Sequence, residues 1–370
     1  MAQERKKRRI VLTSILKPVD DTRMFEKMGV SLAQKGDFDV FIVAFPSSSK
    51  PVYEGIHFIS LRPFVRWGFS RLLARWQVFR KAWQLKPSIL IFNTHELILP
   101  AVILKVFMDV KIIYDVRENY YRNILHSESF PWIIRLPVAL LVRFKEKLFA
   151  PAIDHFFLAE KGYENELRFH RGGWSVIENK AAAIPERERP KKDPEKIRLL
   201  FSGTLAESTG VFQAIELAKK LRSLDHAIHL TLVGYAAMHR VRERLTEEVK
   251  ANPWITLIGV DTLVPHPTVI EAIHNSDAGI LSYPSSHHTS NSHPTKLFEY
   301  LNAGLPIILQ DRWPWIERFA GCQPFIIYDS AKPDFPSLLK ALKTQSFYSQ
   351  KAQDVTWASE EPRFIAALNS

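Results

Sequence analysis

The chain has 370 residues, 46% of them hydrophobic, and a formal net charge of +11. That length points to two domains, and that apolar share supplies two cores, which excludes a disordered chain. The single cysteine, Cys322, excludes a disulfide framework, fits a reducing compartment and reads as a core or loop residue. No uncharged apolar run reaches about 18 residues, so no membrane-crossing helix is expected. The charged start at 1–9 passes straight into an apolar strand, without the apolar stretch and cleavage site of a signal peptide. Three kinds of anionic partner compete for the positive charge: small molecules, a membrane surface and nucleic acid. Nucleic acid ranks last, because the chain has no zinc spacing, helix-turn-helix signature or aromatic RNA-binding pattern.

In chain order, residues 9–14 read as a strand, 17–23 as a loop, and the following helix runs to Lys35, where Gly36 stops it. Residues 39–45 are the next strand. In an open α/β sheet the loops after strand C-termini line the ligand crevice. Arg23 therefore either approaches a phosphate or acceptor, or is solvated while Asp21 caps the helix. Residues 64–83 form a basic helix in which Trp76, Phe79 and Trp83 recur at helical spacing among Arg71, Arg75, Arg80 and Lys81. It reads as a crossover helix with its aromatics on the sheet and a basic face left for a membrane. Strands at 88–92 and 111–115 lead into loops at 93–96 and 116–119. Both loops open on the same crevice, and they bring His95 and Arg117 to it. The apolar helix at 131–149 carries Arg135, Arg143, Lys145 and Lys147, too charged to span a bilayer but able to graze one. A strand at 154–158, a helix from Glu160 and a strand at 174–177 close the first domain.

Residues 180–196 are polar and rich in proline, and read as a linker. The alternation then repeats: a strand at 197–202, a glycine-bounded turn at 203–210, and strands at 228–233, 255–258 and 277–283. The loop at 284–290 holds His287 and His288, with His293 just beyond. No carboxylate or cysteine joins them at a ligand spacing, so a polar sugar-phosphate loop is preferred to a metal site. The stretch 291–309 carries the most information. Pro294 suits the first position of a helix and Gly304 the position just past its end. Leu297, Phe298 and Leu301 make an apolar stripe, Lys296 and Glu299 face the same way, and 305–309 is a buried parallel strand. A helix N-terminus with a lysine favours a diphosphate, and a carboxylate one turn deeper can accept from two ribose hydroxyls. The alternative is an ordinary amphipathic helix with a surface lysine and glutamate.

The run Pro-Thr-Lys-Leu-Phe-Glu-Tyr-Leu-Asn-Ala-Gly-Leu-Pro-Ile-Ile at 294–308 resembles the donor-site motif of retaining glycosyltransferases of the two-Rossmann-domain (GT-B) type, family 4 in particular, with likeness to bacterial members. The resemblance implies that Glu299 holds the ribose. It places Asn291 where the family has a first glutamate, there to hold a sugar hydroxyl. The 17–23 loop is similar to an Asp-Thr-Arg variant, and Arg117 stands where a histidine is common near the donor sugar. His95 falls in the family's histidine-containing loop. Gly203 and Gly210 match the phosphate turn, but its basic residue is replaced by Ser208 or Thr209, which leaves Lys296 as the main cation. Thr204, Pro294, Thr295 and Leu297 complete the donor site, and Tyr235 flanks the base.

The fold implied is α/β, with two doubly wound Rossmann-like domains facing each other across a cleft. The first, 1–179, takes the acceptor and is followed by the linker 180–196. The second, 197–350, takes the donor, and a last helix in 351–370 returns to the first domain. The function implied is transfer from a nucleotide-diphosphate sugar to a glycan or lipid-linked acceptor, in envelope or exopolysaccharide synthesis. The setting implied is cytoplasmic, peripheral on the inner face of the plasma membrane, with no metal or other cofactor and no nucleic acid. Two alternatives stay open: an epimerase or hydrolase of nucleotide-sugars on the same fold, and a non-catalytic sugar-nucleotide-binding subunit, which Asn291, Arg117 and the missing basic residue motivate.

Overall fold

The computed structural model describes residues 7–47, 51–62, 69–126, 131–169, 172–184, 190, 193, 195–283, 293–311 and 313–369. The chain forms two compact units, Met1–Ala182 together with Trp357–Ser370, and Ala183–Thr356.

In the first unit the strands are Arg8–Pro18 (β1), Phe38–Phe45 (β2), Ile56–Ser60 (β3), Ile89–Phe92 (β4), Lys111–Val116 (β5), His155–Leu158 (β6) and Gly173–Val176 (β7). They pair in parallel in the order β3-β2-β1-β4-β5-β6-β7. Period-2 alternation sends Val11, Leu90, Ile112 and Phe156 to one face and Ile10, Leu12, Ile113 and Phe157 to the other. Both faces are covered, which is why the strands are apolar throughout. A π-helical segment, Arg23–Gly29, runs into Val30–Lys35 (α1). The other helices before the second unit are Phe69–Leu85 (α2), Ile98–Phe107 (α3), Tyr120–His126 (α4), Trp132–Phe149 (α5) and Tyr163–Leu167 (α6).

The second unit alternates Ile197–Thr204 (β8), Val211–Leu224 (α7), Ile228–Tyr235 (β9), His239–Ala251 (α8), Ile255–Val260 (β10), His266–His274 (α9), Ala278–Leu281 (β11), Thr295–Asn302 (α10), Ile307–Gln310 (β12), Phe325–Tyr328 (β13) and Phe335–Thr344 (α11). Its parallel sheet has the order β10-β9-β8-β11-β12-β13. Strand order reverses beside β1 in one unit and beside β8 in the other. The carboxyl ends of strands at such a reversal are where open α/β sheets bind ligands.

The last helix, Glu361–Asn369 (α12), belongs to the first unit. Trp357, Phe364, Ala367 and Leu368 are buried on the Ile10 and Leu12 side of its sheet, with the Phe364 ring 5.6 Å from that of Phe157. Lys180 is fully buried, its Nζ 2.5 Å from Glu360 Oε1 and 2.9 Å from Ser359 Oγ. The Trp357 N–H donates to the Ala181 carbonyl at 2.8 Å. Residues 180–182, expected at the start of a linker, are therefore packed members of the first unit. A buried lysine needs a carboxylate close, and the nearest comes from the C-terminal segment, with Glu178 Oε2 further off at 3.7 Å.

Candidate active site

Helix α10 is set by its two ends. Pro294 is its N-cap, with φ −64 and ψ 139, and the helix starts at Thr295, one residue later than the sequence suggests. The extended ψ explains the shift, and the Pro294 carbonyl still accepts the Leu297 N–H at 2.9 Å. Among the described residues no side-chain cap is found at this end. At the other end Gly304 takes φ +63; its N–H donates to Leu301 O at 3.2 Å and the Leu305 N–H to Tyr300 O at 2.9 Å. This paired closure needs a left-handed residue, and it hands the chain to β12. The Tyr300 hydroxyl lies 2.9 Å from Ser202 Oγ and accepts the Ser202 N–H at 3.2 Å, which ties α10 to β8.

Lys296 is buried on α10, its Nζ 3.8 Å from the Phe201 ring centre and 5.1 Å from that of Tyr283. Among the described residues that Nζ has no hydrogen-bond partner. Burial pulls its ammonium down to about 7, against the opposing pull of Glu299. Gly203, at φ +97, places the end of β8 against it: a Cβ there would lie 3.8 Å from Lys296 Cε. Gly210, at φ +83, lies so close to β11 that a Cβ would fall 1.7 Å from the Ser282 carbonyl oxygen. Ser282 Oγ donates to Gly210 O at 2.7 Å. The turn after β8 and the end of β11 are thus locked together at the strand-order reversal, beside the lysine.

The turn's hydroxyls divide. Thr209 Oγ1 lies 2.7 Å from Thr204 O and 2.9 Å from Ala206 O and accepts the Ala206 N–H at 3.2 Å, so it closes its own turn. Ser208 and Thr204 are exposed, and Tyr235 ends β9 half-buried. Leu297 packs into the core and Thr295 opens the helix. Glu299 is buried and meets His266 at the start of α9, with His266 Nε2 3.3 Å from Glu299 Oε1. Sequence reading missed His266, because nothing in the local spacing links it to α10. Asn291, His287 and His288 lie outside the described residues.

In the first unit, Arg23 and Arg117 are brought together, but by carboxylates. Arg23 Nη2 donates to Asp115 Oδ1 at 2.7 Å, Arg117 Nε to Asp115 Oδ2 at 2.9 Å, and Arg117 Nη1 to Asp21 Oδ1 at 2.7 Å. Burial pushes the Asp115 carboxyl up, but Arg23 and Arg117 outweigh it and hold the group below its ordinary value. Arg23 is therefore neither solvated nor free to travel to a phosphate. It is a buried strut between the π-helical segment and β5. His95 has a neighbour on each side: Lys145 Nζ lies 2.8 Å from Nδ1 and Glu96 Oε2 3.5 Å from Nε2. Burial outweighs Glu96 and brings the imidazole down to about 4, so it is neutral at pH 7. Its Nδ1 is thus taken up by Lys145, while its Nε2 has a carboxylate oxygen nearby without a hydrogen bond to it.

Lys145 comes from α5, whose polar side faces inward. Arg143 Nη2 donates to Asn119 Oδ1 at 2.7 Å, Glu146 is buried and accepts from the Tyr114 hydroxyl at 3.1 Å, and Lys145 meets His95. The apolar residues face out: Trp132 is 78% exposed, Leu141 66% and Phe144 63%, with Ile133, Leu136, Leu140 and Leu148 also exposed. On α2, Phe79 packs on the core, while Trp76 and Trp83 are exposed beside it. Arg71 pairs with Glu96, and Arg80 and Lys81 remain at the surface. Arg71, Arg143 and Lys145 are thus tied to neighbouring side chains, while Arg80, Lys81 and Lys147 stay at the surface.

Residues 184–317, within the second unit, match the family model of glycosyl transferases group 1. No curated protein matches the sequence. Solved structures match over nearly the whole chain at low identity. Sucrose-phosphate synthase from Thermosynechococcus elongatus is 13% identical with a TM-score of 0.70, covering 98% of each chain. The catalytic domain of starch synthase IV from Arabidopsis thaliana, bound to ADP and acarbose, is 11% identical with a TM-score of 0.67, covering 98% of this chain and 99% of that one. WaaG, a glycosyltransferase involved in lipopolysaccharide biosynthesis, is 13% identical with a TM-score of 0.63, covering 96% and 95%. The fold is that of GT-B glycosyltransferases, two doubly wound Rossmann-like domains.

Proposed function

We propose that this protein is a retaining glycosyltransferase whose second unit holds a nucleotide-diphosphate sugar. The observation that carries the reading is Lys296, buried and without a hydrogen-bond partner among the described residues, in the first turn of a helix whose next turn presents a buried carboxylate. A buried ammonium with no hydrogen-bond partner is costly, and the pull of Glu299 does not offset its burial. A diphosphate supplies a counter-charge, and the positive end of the helix dipole adds to the attraction. Glu299 then accepts hydrogen bonds from the ribose hydroxyls, the backbone at Gly203 and Thr204 approaches the phosphates, and Asn291 holds a sugar hydroxyl. As the bond from the sugar's anomeric carbon to the diphosphate breaks, negative charge gathers on the bridging oxygen. Lys296 and the helix N–H groups meet that charge, which stabilises the leaving group. The acceptor hydroxyl bonds to the anomeric carbon on the face that the diphosphate leaves, and its proton passes to a departing phosphate oxygen, so the linkage keeps its configuration. Lysine and helix carry the leaving group's charge, so the reading calls for no metal or other cofactor. The group 1 match and the ADP-bound starch synthase of the same fold support it.

For the acceptor, the reading takes an amphiphile at an anionic lipid surface. The outward apolar row of α5 suits the acyl region, and exposed Lys147, Arg80 and Lys81 suit the headgroups. The structural likeness to WaaG is consistent with such a setting. Among the described residues no helix is long and apolar enough to cross a membrane.

A thermal-shift panel of UDP-, ADP-, GDP- and dTDP-sugars tests the donor. One of them should raise the unfolding midpoint of the wild type, and Glu299→Ala should raise the dissociation constant about tenfold or more. No stabilisation by any of the four would remove the reading.

A further inference from the structure

The first unit holds a group of cations that the donor chemistry does not use. The loop 93–96 leaves the carboxyl end of β4, beside the reversal of strand order. Two helices meet it there. Arg71 from α2 pairs with Glu96, and Lys145 from α5 has its Nζ 2.8 Å from His95 Nδ1. Burial brings the Lys145 ammonium down to about 8 against the pull of Glu96 and Glu146, and Arg75, one turn along α2 from Arg71, pushes the same way as burial. The charges around the loop do not balance. Arg71 is matched by Glu96, and Arg143 by Glu146 at 3.6 Å, while Lys145 contacts an imidazole that is neutral at pH 7. Among the described residues neither Arg75 nor Lys145 is in an ion pair, and the buried Nε of Arg75 has no hydrogen-bond partner. Four cations against two carboxylates leave two positive charges over. The loop also keeps the amide of Asn93 and the hydroxyl of Thr94 buried, at 3% and 1% exposure, with no hydrogen-bond partner among the described residues. Native proteins pair nearly all such groups, so several in one loop mark a place that a ligand or ordered water completes. Water satisfies an amide and a hydroxyl, but only an anion offsets the two cations.

We propose that Arg75 and Lys145, with Arg71 beside them, form an anion site in the first unit that takes a phosphate monoester. Such a group carries about −1.5 to −2 charges at pH 7, which matches the excess. Its oxygens accept charge-assisted hydrogen bonds from a guanidinium and an ammonium. The group arrives either as the headgroup of an amphiphile or on a free small molecule. In the first case it is the headgroup of the acceptor, a clause that rests on the reading of the acceptor as an amphiphile. The same two helices show Trp76, Leu141 and Phe144 outward, where hydrocarbon would lie.

The test uses the full chain and the double variant Arg75→Gln with Lys145→Gln, whose amides keep hydrogen-bond donors but lose the charge. Arg80→Gln with Lys81→Gln removes the same charge from the surface of α2 and is the control. In isothermal calorimetry wild type should bind glycerol 3-phosphate, the first double variant about tenfold or more weakly, and the control as wild type does. In flotation, phosphatidylcholine vesicles carrying phosphatidic acid, a phosphate monoester, are compared with vesicles carrying phosphatidylglycerol, a diester, at equal surface charge. Greater retention on phosphatidic acid, lost in the first double variant, identifies the lipid headgroup as the source. Binding of glycerol 3-phosphate without that preference identifies the free phosphate, keeps the site and overturns the headgroup clause. Unfolding midpoints are measured throughout. If the double variant does not fold, Arg75→Gln alone, which leaves the contact of Lys145 with His95 in place, should weaken binding about threefold or more. No binding of either probe by wild type would overturn the proposal. So would equal losses in variant and control, or a folded variant that binds as wild type does. Every arm reads the first unit, so the donor reading of the second stands or falls separately, by nucleotide-sugar binding.

Discussion

An ordinary lysine titrates at 10.5, and in the second unit burial brings Lys296 down to about 7. Between those values the unfolded chain binds the proton and the folded chain does not, so this group makes stability rise with pH from about 7 towards 10.5. Below that window the ammonium has to be buried charged. A bound diphosphate supplies a counter-charge and returns the proton. Calorimetry at pH 8.5 in buffers of different ionisation enthalpy should therefore show net proton uptake when UDP binds wild type, and none for Lys296→Met. Identical heats in all buffers for wild type would contradict this. In turnover, Lys296→Ala should cost about a hundredfold, more than it costs in donor affinity, because the charge it meets grows in the transition state. Lys296→Arg should recover only part, since a forked, diffuse cation replaces a point charge. A turnover number unchanged in Lys296→Ala would move the diphosphate role to another residue. Lys296 and Glu299 were legible in the sequence because helical spacing is a local signal. His266 was not, because it meets Glu299 only through the packing of two helices. The bond from Arg23 to Asp115 was not either, since it spans 92 positions that only the sheet brings together.

At the scale of elements, α10 was legible and α5 was legible only in part. Pro294 and Gly304 mark the ends of α10 chemically, and the ends then fix which side chains face β8. In α5 the pattern announces an apolar side and a polar side but not which one faces inward. The usual assumption buries the apolar side. Here Asn119, Tyr114 and His95 offer partners to Arg143, Glu146 and Lys145, and the polar side goes in. The membrane expectation changes with it. Electrostatic attachment through basic faces would be released by salt, whereas an apolar row contributes about 1.5–3 kcal/mol per fully buried large side chain irrespective of salt. Flotation with phosphatidylglycerol vesicles should retain much of the wild-type protein at high salt. Leu141→Glu with Phe144→Glu should abolish retention without lowering the unfolding midpoint, because neither residue is in the core. Complete release of wild type by salt would restore the electrostatic account.

At the scale of the whole chain, the two reversing sheets were legible because strands buried on both faces appear as short continuous apolar runs between helices. The junction at Lys180 was not, since a polar, proline-rich stretch does not reveal that its first lysine is a core residue. Glu360→Gln should destabilise the first unit by about 3 kcal/mol, the cost of breaking a buried pair and leaving Lys180 only the more distant Glu178, and Lys180→Met with Glu360→Leu should recover most of it. Urea unfolding followed by the fluorescence of Trp357 would measure both; equal stability of Glu360→Gln and wild type would refute the clasp. That clasp also has a consequence for biosynthesis. A ribosome makes the first unit's strands first, but the segment covering the Ile10 and Leu12 side of their sheet is translated only after every residue of the second unit. A nascent chain paused anywhere between residues 183 and 356 therefore carries an unfinished sheet face, and the domain that was begun first is completed only once the second has been made.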